Sequence, residues 1–173
     1  MSLKALNKKT ALLGILGAQA LALSFLESLI PPLPGLPPGA KPGFSNIVTM
    51  YTAATMGLGE ALYITGIKAV FSGLTRGATA FFMSLSGGLL STFVMFGLLK
   101  IKKQPFGIAG IAVASAAAHN LGQLIAATII TGTVSVLGYA PLLFIFAVLT
   151  GLVTGTVLKA VMPALEKQSR FLS

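Results

Sequence analysis

The sequence has no cysteine, and in 173 residues only three acidic side chains, Glu27, Glu60 and Glu166. Without cysteine there is no disulfide, no thiolate nucleophile and no Cys-ligated metal, although this absence assigns no compartment. No acidic pair of the D-D-x-x-D kind is present to hold magnesium for diphosphate chemistry. His119 is the single histidine, and one His without Cys cannot supply the usual ligand set of a zinc site. "GLPPG" and "SLSGG" are not followed by a P-loop Lys-Ser/Thr, so any ATP coupling must come from a partner. No catalytic constellation emerges, and no enzyme activity, metal or cofactor is expected. Charge of either sign is scarce, at 9% of residues. A soluble domain normally carries about a quarter charged residues to cover its surface.

What the chain does have is apolar length. Hydrophobic residues make up 55% of it, and the mean hydropathy is +0.92. Residues 10–26, 77–99 and 104–118 carry no charge, and none falls between Lys103 and Lys159. Apolar runs of about 20 residues are long enough to cross the hydrocarbon core as helices. The composition therefore predicts an all-α integral membrane protein, residues 1–173 forming a single transmembrane domain. The N-terminus has signal-peptide features, Lys4, Lys8 and Lys9 before an apolar run and "GAQALA". The run continues to Ile30, which suits an uncleaved first span.

The expected spans are about 10–30, 44–57, 59–75, 78–99, 105–130 and 139–162. Five prolines between Pro31 and Pro38 make residues 31–43 a stiff outer loop. Gly138 and Pro141 mark the turn into the last span. Residues 44–75 are ambiguous. One span there would bury Glu60 and Lys68; two would be short and broken at "GLGE". Charge asymmetry decides between them. With six spans and both termini cytoplasmic, Lys4, Lys8, Lys9, Lys100, Lys102, Lys103, Lys159, Lys167 and Arg170 all lie inside, nine of the twelve basic residues, as the positive-inside rule favours. The net charge of +9 is accordingly read as topology, and nucleic acid is not an expected partner.

Small residues recur at helical spacing: Gly14, Ala18 and Ala22 on span one, and Gly87 and Ser91, with Ser84 and Gly88 nearby, on span four. Such stripes let helix backbones approach closely in lipid. They serve either packing within the chain or docking of another membrane subunit. The run "ASAAAHNLGQLIAA" places His119, Asn120 and Gln123 in an oily span. His119 and Gln123 are i and i+4, on one face. They are either interhelical glue or contacts to a ligand, since an ionisable residue inside the membrane suggests a functional site. Asn46 and Thr49 on span two, Lys41 in the proline loop, and Lys68 and Arg76 on span three, with Glu27 near the end of span one, would ring one outward cavity. Lys41, Lys68 and Arg76 would favour carboxylate or phosphate groups. Snorkelling of Lys68 and Arg76 to the interface is the plainer alternative.

The segments "KPGFSNIVTMYTAATMGLGEALYITGIKAVFSGLTRG", "FFMSLSGGLLS" and "AAAHNLGQLIAA" resemble the family called heptaprenyl diphosphate synthase component I, or Gx transporter family, over nearly the whole chain. That family is similar to the substrate-binding S components of energy-coupling factor (ECF) transporters. The resemblance implies a six-helix bundle that captures a small molecule, a vitamin, a flavin or a quinone or isoprenoid precursor, and works with a membrane scaffold subunit and ATPase subunits. It also implies that Gly14, Ala18 and Ala22 meet the scaffold, and that the proline loop is a lid. A competing reading is a membrane anchor or partner for prenyl-diphosphate (heptaprenyl diphosphate) synthesis or for a flavin-based electron-transfer complex. A carrier needs its polar residues to converge on a cavity; an anchor does not.

Overall fold

The structure is a computed structural model that describes residues 3–29, 43–101 and 107–172, with side chains described for 6–29, 43–101 and 107–161. Among these residues every regular element is helical: α1 (Leu3–Leu29), α2 (Asn46–Thr55), α3 (Leu58–Arg76), α4 (Ala78–Leu99), α5 (Gly107–Thr131), a 3-10 turn (Val134–Tyr139) and α6 (Ala140–Leu172). Four stretches are long and apolar enough to cross a membrane: Leu6–Leu29, Ala78–Leu99, Gly107–Thr131 and Val134–Val161. The chain is thus an all-helical membrane protein. Lys41 and most of the proline loop lie outside the described residues.

The six expected elements are all present, but they are not six equal spans. At 1.5 Å rise per residue, the ten residues of α2 cover about 15 Å, roughly half of a 30 Å hydrocarbon core. α3 has 19 residues, enough for about 28 Å, but it carries Glu60, Lys68 and Arg76 and is not among the four apolar stretches. The described helices are therefore four apolar spans plus a short helix and a charged one, and the second and third of the expected spans are the short and broken pair foreseen for residues 44–75. The turn into α6 is also longer than Gly138 and Pro141 suggested. It begins at Gly132 and is filled by the 3-10 turn, whose Thr133 hydroxyl accepts from the Ser135 amide at 3.3 Å.

Two glycines make the abrupt reversals. Gly57 (φ 120°) joins α2 to α3, and Gly77 (φ 88°) joins α3 to α4. Both are in the left-handed region, which costs glycine little. Glu60, one turn into α3, forms an ion pair with Lys9 on α1. This pair sets the start of α3 beside the start of α1, and Glu27 and Arg76 line one cavity at their far ends, so the two helices run in the same direction.

The bundle is welded by small residues. A Cβ on Gly122 of α5 would stand 2.6 Å from the Ser86 carbonyl oxygen of α4, and one on Gly87 would stand 2.7 Å from the His119 carbonyl. Gly88 on the neighbouring face meets Thr65 of α3 in the same way, at 2.6 Å. The motif "SLSGGLLS" is thus where α4 is squeezed between α3 and α5. Hydroxyls bridge the same seams: Ser86 donates to the Gly122 carbonyl (2.8 Å), Ser91 pairs with Ser115 (2.9 Å) and Thr65 with Thr92 (2.8 Å). The span-four stripe is therefore internal packing. α6 adds a pair the sequence reading passed over, Gly151 and Gly155, which press against Val113 and Ala109 of α5. This is the G-x-x-x-G spacing of close helix pairs in lipid.

The stripe on α1 behaves differently. Gly14, Ala18 and Ala22 are all exposed, and a Cβ on Gly14 would touch nothing within 4 Å. The face that α1 buries is Leu16, Gly17, Ala20, Ser24 and Glu27. Packing within this chain, one of the two expectations for that stripe, is not what it does.

Candidate functional site

A group of buried and half-buried polar side chains gathers at the end of the bundle where α1 and α3 finish. Each helix brings its contribution at helical spacing, so that one face delivers it: Ser24 and Glu27 from α1, Lys68, Ser72 and Arg76 from α3, Ser84 from α4, and His119 and Gln123 from α5. Gly43 and Ser45, at the entry to α2, close the ring. The cavity they enclose is about 20 Å³, enough for one water molecule.

Its electrostatics are unusual for a membrane interior. Glu27, Lys68, His119 and Gln123 are each less than 9% exposed. Glu27 accepts two hydrogen bonds from Ser45, from its amide at 3.1 Å and its hydroxyl at 3.2 Å. The Lys68 ammonium donates to Asn46 Oδ1 at 2.9 Å and to Thr49 Oγ1 at 3.4 Å. Two cationic side chains, Lys68 and Arg76, thus face one carboxylate, Glu27, among the lining residues.

On α5, Gln123 Nε2 and His119 Nε2 are 3.1 Å apart, while His119 Nδ1 and Gln123 Oε1 are buried with no partner. If the Gln123 amide donates, the histidine proton sits on Nδ1 and has no acceptor. If the amide is turned over, His119 donates from Nε2, and Nδ1 is left as an acceptor with no donor. Either way each side chain keeps one unused polar atom, which is costly in an apolar interior unless something meets it.

Of the eight residues expected to bind a ligand, His119, Gln123, Lys68 and Arg76 come together on the cavity wall. Asn46 and Thr49 stand behind it and hold the Lys68 ammonium. Asn120 is placed elsewhere. It lies one position along the helix from His119, about 100° around the axis, and its amide donates to the Leu143 carbonyl of α6 at 2.8 Å. That is an interhelical bond, the alternative role weighed for the polar run. Lys41 falls outside the described residues. The sequence reading noted Glu27 but did not count it as a site residue, and it missed Ser24, Ser45, Ser72 and Ser84. Glu27 was legible as a carboxylate in an otherwise uncharged run; the serines carry no signal that separates them from packing serines. No group of three His, Asp or Glu that would hold a metal occurs among the described residues.

Searches among curated proteins and among solved structures returned no match. Residues 16–161 match the sequence model of one family. That stretch takes in every helix that lines the cavity, together with the glycine seam, and it is most of the chain. By this match the protein belongs to the heptaprenyl diphosphate synthase component I family.

Proposed function

We infer that the protein is a membrane-embedded substrate-binding subunit of a small-molecule uptake system, similar to an ECF S component, and that partner subunits supply ATP hydrolysis. The observation that carries this reading is the convergence of α1, α3, α4 and α5 on a buried, charged cavity with unused polar atoms on His119 and Gln123. An anchor would have no reason to bury a carboxylate and a lysine at one point. In this reading the chain performs no chemistry.

A cavity of this size is far below the roughly 300–1,000 Å³ of ordinary ligand pockets, so a vitamin-sized molecule enters only when a wall moves. The wall that belongs to no helix is Gly43–Ser45, held to α1 by the two Ser45–Glu27 bonds. Opening there exposes Lys68 and Arg76 to an incoming carboxylate or phosphate. The family's description favours a second reading, a membrane partner in heptaprenyl diphosphate synthesis. Native mass spectrometry of gently purified protein separates the two. The carrier reading expects one small acidic molecule per chain, lost in Lys68→Gln. Protein that comes off empty under every mild condition, but bound to a prenyl synthase subunit, would favour the anchor.

A further inference from the structure

The polar cavity offers more than charge. His119 and Gln123 line it from α5 and are 8% and 4% exposed. Their side chains meet through the Nε2 atom of each at 3.1 Å, and His119 Nδ1 and Gln123 Oε1 are left buried without a partner. The Gly87 backbone of α4 lies near the histidine ring, but not at hydrogen-bond geometry to Nδ1.

The two unused atoms are of opposite kind. A neutral imidazole has one donor nitrogen and one acceptor nitrogen. If the Gln123 amide nitrogen donates to His119 Nε2, the histidine proton is on Nδ1. The pair then shows a donor on His119 and an acceptor on Gln123. If the amide is turned over, His119 donates from Nε2 to the amide oxygen. The pair then shows an acceptor on His119 and a donor on Gln123. Each assignment leaves one of each kind. A carboxylate or phosphate has acceptors only, so it would meet the donor and leave the other atom buried and unpaired. The contact joins the Nε2 atoms, and the unused atoms lie beyond it on either side. Two ligand atoms suit that arrangement better than one hydroxyl oxygen.

We propose that the captured molecule is a small acid that also carries a cyclic amide, urea or imide. His119 and Gln123 bind its N–H and C=O edge, while Lys68 and Arg76, on the same cavity wall, take the acid. A ring is required because an open-chain amide is trans, with its N–H and C=O pointing opposite ways; a ring holds them cis, on one side. This inference rests on reading the polar cavity as a capture site and narrows what that site captures.

The test is native mass spectrometry of the purified full chain after incubation with orotate, pyroglutamate and hydantoin acetic acid. Each competes with its fully N-methylated counterpart, and with benzoate and mandelate at equal concentration. Acids with a ring N–H should be retained about tenfold over their methylated counterparts, since methylation leaves a buried acceptor without its donor. His119→Ala and Gln123→Leu, checked for native helical content, should bring that preference within about twofold. Lys68→Gln should lower retention of every acid and leave the preference unchanged. Equal retention of parent and methylated acids, preferred retention of benzoate or mandelate, or a co-purified acid that lacks a ring N–H beside a C=O would overturn the proposal and leave the capture reading in place. A doubly protonated His119, which shows two donors, would give the benzoate result. Retention of no acid, added or co-purified, would remove both.

Discussion

Two neighbours on α5 have opposite roles, and the difference is angular. His119 turns toward the cavity, meets Gln123 on its own helix and packs its ring beside Gly87 of α4, whereas Asn120 bonds across to α6. If His119 meets a ligand, His119→Ala should weaken binding of that ligand roughly twofold to tenfold, the worth of about 0.5–1.5 kcal/mol for one hydrogen bond, beyond any packing loss it causes. Asn120→Ala should do the reverse, costing stability of about 0.6 kcal/mol, the average for an interhelical polar contact in lipid, with unchanged affinity. Thermal melts and binding titrations on the two variants make the comparison. A fall in stability for His119→Ala without loss of affinity would assign both residues to packing. The i, i+4 spacing made the His119–Gln123 face readable from sequence. The sequence did not show which of three adjacent polar side chains turns outward, because that depends on where α6 crosses α5.

At the scale of elements, the same kind of residue serves two ends. The glycines of α4 and α5 sit backbone against backbone, and a Cβ at Gly122 has a carbonyl oxygen in its way rather than a flexible side chain. Gly122→Ala should thus destabilise the bundle by about 1–3 kcal/mol, the range for overpacking a tight interior, read as a lowered thermal transition in detergent. The stripe on α1 faces outward, so Ala18→Leu should leave that transition unchanged. If the stripe is a docking face, Ala18→Leu should also abolish co-purification with a membrane partner; survival of every partner after the change would remove that role. Sequence spacing identified both stripes but could not tell them apart. Gly14-x-x-x-Ala18 and Gly87-x-x-x-Ser91 look alike, and only the placement of Leu16, Gly17 and Ala20 against α3 and α2 shows which way α1 is turned. The residues 44–75 were the hardest to read for a related reason. Their charges argue against a span when each helix is taken alone, and they become tolerable only once Lys9 meets Glu60 and Asn46 meets Lys68.

At the scale of the molecule, the helix directions constrain topology more strictly than charge counting does. α1 and α3 run together, tied at their starts by Lys9 and Glu60. α2 is a half-length return, and α4, α5 and α6 alternate through the glycine seams. Leu158 of α6 and Gly57 line a second cavity, so the start of α1 and the later half of α6 share one end of the bundle. The polar cavity and the turn after α5 share the other. Lysines crowd the first end, so the proposed capture of an external molecule, taken with the positive-inside rule, expects that end in the cytoplasm and the polar cavity on the outer side. The native chain lacks cysteine, so single cysteines can be introduced into it directly. Ser135→Cys, at the exposed 3-10 turn, should react with a membrane-impermeant maleimide in intact cells. Ile101→Cys, exposed at the end of α4, should react only after the membrane is opened. The reverse pattern would turn the polar cavity to the cytoplasm, and with it the direction of any transport. Labelling of both in intact cells would mean that α5 does not separate two compartments, and the four-span architecture itself would fall.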